Sequence, residues 1–233
     1  MTAPVASWRK LPATGERRGG AAFVAACALF ALVVAPGSGC APSRQLLVGQ
    51  EARAAAAFFA SASGVSFPLR ASFSGVAELR GSTVPFVAGL SSRTASDETL
   101  GFYDSMGRAV LFLENREGRI SVARGPAAGE FPPGNIRPVD AGPVSLGRIL
   151  SGGAGYPVSG GETGRTADGE WVYAGKGQTL FSDPSRRLLS RAEYDIAGKH
   201  VTVTYPGRDT SGPPRRVEVE VMGNRVVFQR DTE

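Results

Sequence analysis

The chain of 233 residues has one histidine, His200, and two cysteines, Cys27 and Cys40. That scarcity excludes several chemistries. A zinc site needs three or four clustered His, Cys or carboxylate ligands, and His200 stands in a strand-like run beside Thr202 and Thr204. A serine hydrolase needs a base, and His200 is the sole histidine to serve; no Gly-x-Ser-x-Gly elbow accompanies it. No glycine-rich stretch ends in the Gly-Lys-Ser/Thr of a phosphate loop. The carboxylates Asp97 and Glu98 read as turn residues rather than a cleft pair, so nothing argues for a glycosidase. Dense basic runs are missing as well: Arg186-Arg187 and Arg215-Arg216 are isolated pairs, read as solvated. The residues therefore point away from an enzyme, a metal, a cofactor or a nucleic-acid partner.

Long apolar runs are almost as scarce. The one that stands out is Ala21 to Pro36, which carries no charge. Before it lie Arg9, Lys10, Arg17 and Arg18 against a single acid, Glu16, and after it come Gly37, Ser38 and Gly39. A basic head, an apolar middle and a small-residue exit describe a secretory signal peptide over residues 1–39. The run is shorter than the ~20 residues of a spanning helix. "GSGC" then resembles a lipobox, with Gly37 where a leucine is typical, and makes Cys40 the candidate lipidation site. Cys27, in "VAAC", has too little apolar sequence before it. The alternative is that Cys40 is a plain periplasmic thiol after ordinary cleavage. Residues 40–45 read as a tether and 46–233 as one domain. "LPATG" at Leu11 to Gly15 matches a sortase signal in the wrong place, and Arg17-Arg18 lacks the apolar residues that twin-arginine export expects next; the export route stays open.

Removing residues 1–39 takes away four basic residues and one acid, leaving 22 against 20 and a net charge of +2. Only Cys40 then remains, no disulfide can form, and the fold must rest on its core.

What is abundant is punctuation: 31 glycines and 16 prolines suit short strands and tight turns. Val48, Ala52, Ala55, Phe59 and Ala62 form one helical stripe, ended near Gly64. From Phe67 to Leu79 the period changes to two, with Phe67, Leu69, Ala71, Phe73, Gly75, Ala77 and Leu79 on one face. Val84, Phe86, Ala88 and Leu90 continue it. "TLGFYDSMGRAVLFLENREGRISVARG" reads as three strands with turns at Asp104–Gly107 and Asn115–Gly118. Gly125 to Pro143 reads as a loop or crossover, Val144 to Leu150 as a short helix, and Ser151 to Glu170 as flexible surface sequence. Strands return from Trp171, the last pair turning at Gly223-Asn224. Roughly ten antiparallel strands tend to curl, so the expected class is α+β, mainly β: an unclosed half-barrel capped by an N-terminal helix and a short lid helix.

Cys40, the Val48–Ala62 helix, "FSGVAEL" and "GFYDSMGRAVLFLENREGRISV" together resemble the Lol-type lipoprotein carriers and receptors, especially the outer-membrane receptor LolB. That resemblance implies a bent, unclosed barrel with helical lids over an apolar interior. It also implies acceptance of lipoproteins or their acyl chains from a periplasmic carrier and release into the outer membrane, with no covalent chemistry. On the match Met106 takes the place of the receptor's protruding apolar loop residue and would insert into the membrane; the other reading folds Met106 back onto the barrel edge. Leu146 to Leu150 resembles a lid segment. Phe67, Leu69, Phe73, Val84, Phe86, Leu111 and Leu113 are the candidate cavity lining, with ordinary core as the alternative. The partners so implied are outer-membrane lipid through Cys40, lipoprotein cargo and the carrier, with the chain itself a periplasm-facing monomer. The rival reading is a structural or interaction lipoprotein of the envelope with a filled barrel.

A Cys40→Ser variant is expected to leave the membrane fraction, since each buried acyl methylene contributes ~0.8 kcal/mol to anchoring. Ala41 and Pro42 lack the aspartate that, by the resemblance, retains lipoproteins at the inner membrane. Cys40→Ser protein that still pellets with membranes after a high-salt wash would overturn the anchor.

Overall fold

The structure, a computed structural model, describes residues 44–62, 64–79, 81–125, 138–208 and 212–231. The expected signal peptide over residues 1–39, the candidate lipidation site Cys40 and residues 41–43 of the expected tether lie outside the described residues.

The alternating pattern does form strands. Along β2 (Leu69–Leu79) Phe73 and Ala77 are buried, while Ser72, Ser74 and Glu78 face solvent. β3 (Ser82–Thr94) buries Phe86, Ala88, Leu90 and Ser92. β4 (Asp97–Tyr103), β5 (Ala109–Arg116) and β6 (Arg119–Arg124) follow as a meander. Later come β9 (Trp171–Gly175), β10 (Gln178–Ser182), β11 (Leu189–Ile196), β12 (Lys199–Thr204), β13 (Arg216–Val221) and β14 (Asn224–Arg230). Three short pieces complete the set: β1 (Gln45–Leu46), β7 (Val139–Asp140) and β8 (Glu162–Arg165).

All fourteen described strands belong to one antiparallel sheet in the order β1-β8-β9-β10-β11-β12-β13-β14-β2-β3-β4-β5-β6-β7. Its ends, β1 and β7, do not pair with each other, so the sheet is open. Yet it is strongly curled. β11 and β7 lie nine strand spacings apart in that order, about 43 Å in a flat sheet at ~4.8 Å per spacing. The hydroxyl of Tyr156 spans their ends alone: it donates to the Ala141 carbonyl at 2.9 Å, just beyond β7, and lies 3.3 Å from the Asp195 carbonyl on β11.

Two helices are present among the described residues. Helix α1 (Gly49–Ser61) buries Ala55 and Phe59. The Phe59 ring lies 5.8 Å from Tyr173 and the Phe58 ring 6.1 Å from Trp171. Glu51 locks this docking, accepting from Trp171 Nε1 at 3.1 Å, from Arg165, and from Arg186 at 3.3 Å. The Trp171 N–H and then the Arg165 guanidinium hold its carboxyl below the usual range. Helix α2 (Leu146–Leu150) buries four of its five residues.

Several expectations are corrected. The sheet has fourteen strands rather than about ten, because the tether and the glycine-rich connections each supply a short piece whose backbone pairs without an alternating signal. Val48 is the residue before α1 and 81% exposed, not part of its buried stripe. The first long strand starts at Leu69 rather than Phe67, since Pro68 has no N–H to give the ladder. Glu98 lies on β4 and is buried. The last hairpin turns at Met222-Gly223, with Asn224 already paired to Val221. The stretch expected to be flexible surface, Ser151 to Glu170, begins with six buried residues, Ser151 to Tyr156, and contains β8. Small side chains let that backbone enter the interior, where α2 carbonyls, Ala62 and the strand residues Tyr194 and Gln178 take up its hydrogen bonds.

Phe73 is fully buried, its ring 5.8 Å from that of Phe228, while Ser74 on the same strand is exposed. Phe73→Asp is expected to destabilise the fold severely, because the smaller, charged side chain empties the space that the fully buried ring fills against Phe228. Ser74→Asp should change stability by no more than ~0.5 kcal/mol. Thermal melts compare them, and equal melting would mean the register is wrong.

Candidate functional site

The curl leaves a cavity of about 70 Å³, counted as room for the centres of water-sized molecules. Its fifteen lining residues are all Phe, Leu, Ile or Val. Phe86, Leu100, Phe102, Leu111 and Leu113 come from β3, β4 and β5. Ile196, Val201, Val203, Val219, Val221, Val226 and Phe228 come from β11 to β14. Leu146, Ile149 and Leu150 of α2 form the remaining wall. One water needs ~10–15 Å³ of such space and two to four polar partners. The volume would admit several waters, but the lining side chains offer them no hydrogen bond. Hydrocarbon suits the space better.

Of the candidate lining residues, Phe86, Leu111 and Leu113 face this cavity. Phe67, Leu69, Phe73 and Val84 do not, and the reason is what covers each. The Arg148 guanidinium lies over the Phe67 ring at 5.9 Å, and Leu69 packs beside Gly147. Phe73 is enclosed by Phe228 and by the Arg230 guanidinium at 5.3 Å. Val84 is half-buried near the end of its strand. Alternation showed that these side chains point inward, but not that other groups occupy the space before them. Conversely, the walls from β11 to β14 are not among the residues expected from the sequence, although Val219 and Val221 alternate as plainly as Phe86 and Ala88.

The α2 wall is held by a buried carboxylate. Glu98 is 1% exposed and its two oxygens accept five hydrogen bonds. The donors are Ser145 Oγ at 2.7 Å, Leu146 N at 2.7 Å, Gly147 N at 2.9 Å, Asn115 Nδ2 at 3.0 Å and Ser92 Oγ at 3.2 Å. Every partner donates, which suits a carboxylate that can only accept. Ser145 also caps α2, its Oγ accepting from Arg148 N at 3.1 Å. Asn115 spends its second proton on the Val144 carbonyl at 2.8 Å. Position 147 requires glycine: a Cβ there would lie 2.7 Å from Ser92 Oγ and 2.8 Å from Glu98 Oε1. Glu98 was legible in one respect, for it shares the inward parity of Leu100 and Phe102.

Beyond α2 the buried chain stays anchored. Tyr205 Oη donates to the Ile149 carbonyl at 3.1 Å, and Arg208 Nη1 to the Gly152 carbonyl at 2.7 Å. Ala154 N donates to the Ala62 carbonyl at 3.0 Å, and Gly155 N to Tyr194 Oη at 3.1 Å. Gln178 meets both backbone groups of Tyr156. Burial pushes the Tyr194 and Tyr205 hydroxyls well above their ordinary range, and Tyr205 keeps the proton that it donates to Ile149.

Met106 is 73% exposed at the β4–β5 turn. The turn is organised by Asp104, whose Oδ1 accepts from Met106 N and Arg108 N, each at 2.9 Å, and whose Oδ2 takes Arg108 Nε at 2.8 Å. The Arg108 backbone N–H leads the contacts that hold the Asp104 carboxyl below its usual range. No group of three or more metal-ligating side chains occurs among the described residues, and no helix there is long and apolar enough to cross a membrane.

No protein-family model and no curated protein matches the chain. Among solved structures it is similar to a LolA superfamily protein from Nitrosomonas europaea, at 10% identity and a TM-score of 0.46 over 78% of this chain and 91% of that one. A DUF1329 family protein from Desulfovibrio piger is similar at 13% identity and a TM-score of 0.47, over the same shares of the two chains. A putative outer membrane lipoprotein-sorting protein domain from Vibrio parahaemolyticus is similar at 8% identity and a TM-score of 0.38, over 70% of this chain and 83% of that one. These are distant likenesses of fold.

Glu98→Ala would strand the N–H groups of Leu146 and Gly147 and open a void beside them. At ~1–3 kcal/mol for each buried donor left unpaired, the expected loss is at least about 3 kcal/mol, read from the denaturant midpoint. A loss under ~1 kcal/mol would show that α2 does not depend on this contact.

Proposed function

We propose that this protein is a non-enzymatic, outer-membrane lipoprotein that binds acyl chains, and through them lipoproteins, in its apolar cavity and helps localise them to the outer membrane. The observation that carries the reading is the cavity itself, enclosed by the curled sheet and α2 and lined by no polar side chain. Such a space recognises hydrocarbon by shape and dryness alone. Transfer from a periplasmic carrier then needs only comparable affinities in the two proteins, with no bond made or broken. The exposed thioether of Met106 fits contact with lipid during release, because an unbranched, polarisable side chain adapts to irregular apolar surroundings. Cys40, if acylated, would hold the domain at the membrane where release occurs.

One observation favours a structural lipoprotein instead. The concave side over β9 to β11 is packed solid by Phe59, Tyr173, Tyr156 and Tyr194. The test is binding of a fluorescent fatty acid to the purified chain. Wild type is expected to bind it, and Val219→Phe, which fills the space from β13, to weaken binding at least tenfold while remaining folded. Met106→Glu should leave binding and melting unchanged yet slow delivery of a bound lipoprotein to liposomes. Absence of binding by wild type, or equal binding by Val219→Phe, would leave the structural reading standing.

A further inference from the structure

The hydrogen bonds around α2 make it a fixed wall rather than a door: Glu98 holds one end, and Tyr205 and Arg208 hold the chain at and beyond the other. A ligand must therefore reach the cavity elsewhere, and the opposite walls end in hairpin turns. Phe102 and Leu111 flank the β4–β5 turn, Ile196 and Val201 the β11–β12 turn, Val221 and Val226 the β13–β14 turn; all six line the cavity.

The β13–β14 turn carries an anomaly. Met222 has φ +51° and Gly223 φ +75°. Two-residue hairpins of this kind favour Asn or Asp before glycine, because a side chain with a Cβ is strained at positive φ. The comparable positions Glu117 and Ala197, each also before a glycine at positive φ, carry a charged and a small side chain. Met222 alone of these three is large and apolar, and it is 55% exposed, so its bulk contributes little to the core. Its neighbour Val221 is part of the cavity wall. The nearby cation is already engaged: Arg225 pairs with Glu218 at 2.7 Å and with Glu78 at 3.5 Å. Likewise Arg108 pairs with Asp104 at 2.8 Å beside Met106. Four strand spacings separate the two methionine-bearing turns, about 19 Å along the sheet. This rim thus presents two exposed thioethers, and the arginines beside them, Arg108 and Arg225, are paired with carboxylates. It matches the acyl region of a lipid surface rather than a charged protein partner.

We propose that the Met222-Gly223 turn contacts the lipid surface and is the threshold over which an acyl chain passes into the cavity. The inference rests on the acyl-binding reading above and adds the route. Met222 trades local backbone strain for an apolar side chain at the mouth, where a strain-free asparagine would present a polar group to lipid.

The test uses the full chain as wild type, Met222→Asn and Met222→Leu, so that the leader and Cys40 are common to all. The probe is a dansyl-labelled undecanoic acid, offered free in solution or loaded into vesicles of phosphatidylethanolamine and phosphatidylglycerol. Met222→Asn is expected to keep or raise the melting temperature, to bind free probe within twofold of wild type, and to draw probe from vesicles at least fivefold more slowly. Met222→Leu should restore the wild-type rate. Unchanged transfer in Met222→Asn overturns the threshold, as does a Met222→Leu variant as slow as the asparagine one. Parallel losses of stability and free-probe affinity in Met222→Asn also overturn it, since they mark a structural role. Wild type that binds no free probe is a different failure: the acyl-binding reading falls, and the threshold with it.

Discussion

A buried carboxylate that no ion pair among the described residues balances governs the concave side of this protein. Taking Glu98 out of water is costly, and only a full set of hydrogen bonds offsets it. Its donors come from β3, β5 and the start of α2, elements far apart in the chain. Satisfying one side chain therefore fixes several backbones at once. Because Leu146 and Gly147 donate through their backbone, α2 cannot shift without leaving the carboxylate exposed to apolar surroundings. That constraint turns a five-residue helix, too short to be stable alone, into one wall of a cavity.

The second organising device is a set of tyrosines and polar side chains acting on the backbone from Ala141 to Tyr156. Tyrosine brings a large apolar body with one polar tip, so Tyr156, Tyr194 and Tyr205 fill the interior and also satisfy groups of a buried loop. Buried backbone must find partners, and here strand residues supply several of them. The result divides the concave side. Over β9 to β11 it is occupied by α1 and the tyrosines; between β3–β5 and β11–β14 a space with an apolar lining remains.

That asymmetry has a functional reading. A sheet open at its ends but pinned by Tyr156 holds a cavity without closing into a barrel. The polar network lies on the α2 side, where it gives rigidity. The exposed methionines lie on turns at the ends of the opposite walls, where adaptable side chains cost the core nothing. Rigidity and exposed apolar side chains are thereby assigned to different parts of one structure.

Much of this was legible in the amino-acid order. Alternation from Leu69 to Leu79 and in the later hairpins determined strands, their inward faces and an open curled sheet, because side-chain direction along a strand is a local property. Asp104 and Gly107 determined a turn that leaves Met106 exposed, again by local hydrogen bonding and backbone freedom. Other features were out of reach. Glycine-rich Ser151 to Tyr156 looks like surface sequence, and its burial depends on groups brought from elsewhere in the chain, among them Ala62, Gln178, Tyr194 and Arg208. Glu98 shows an inward parity, but its donors Ser145, Leu146 and Gly147 are more than forty residues away. Whether an inward Phe73 or Leu113 meets a neighbour or an empty space depends on how far the sheet curls and on what crosses it. Those are outcomes of long-range packing, and tertiary structure alone decided them.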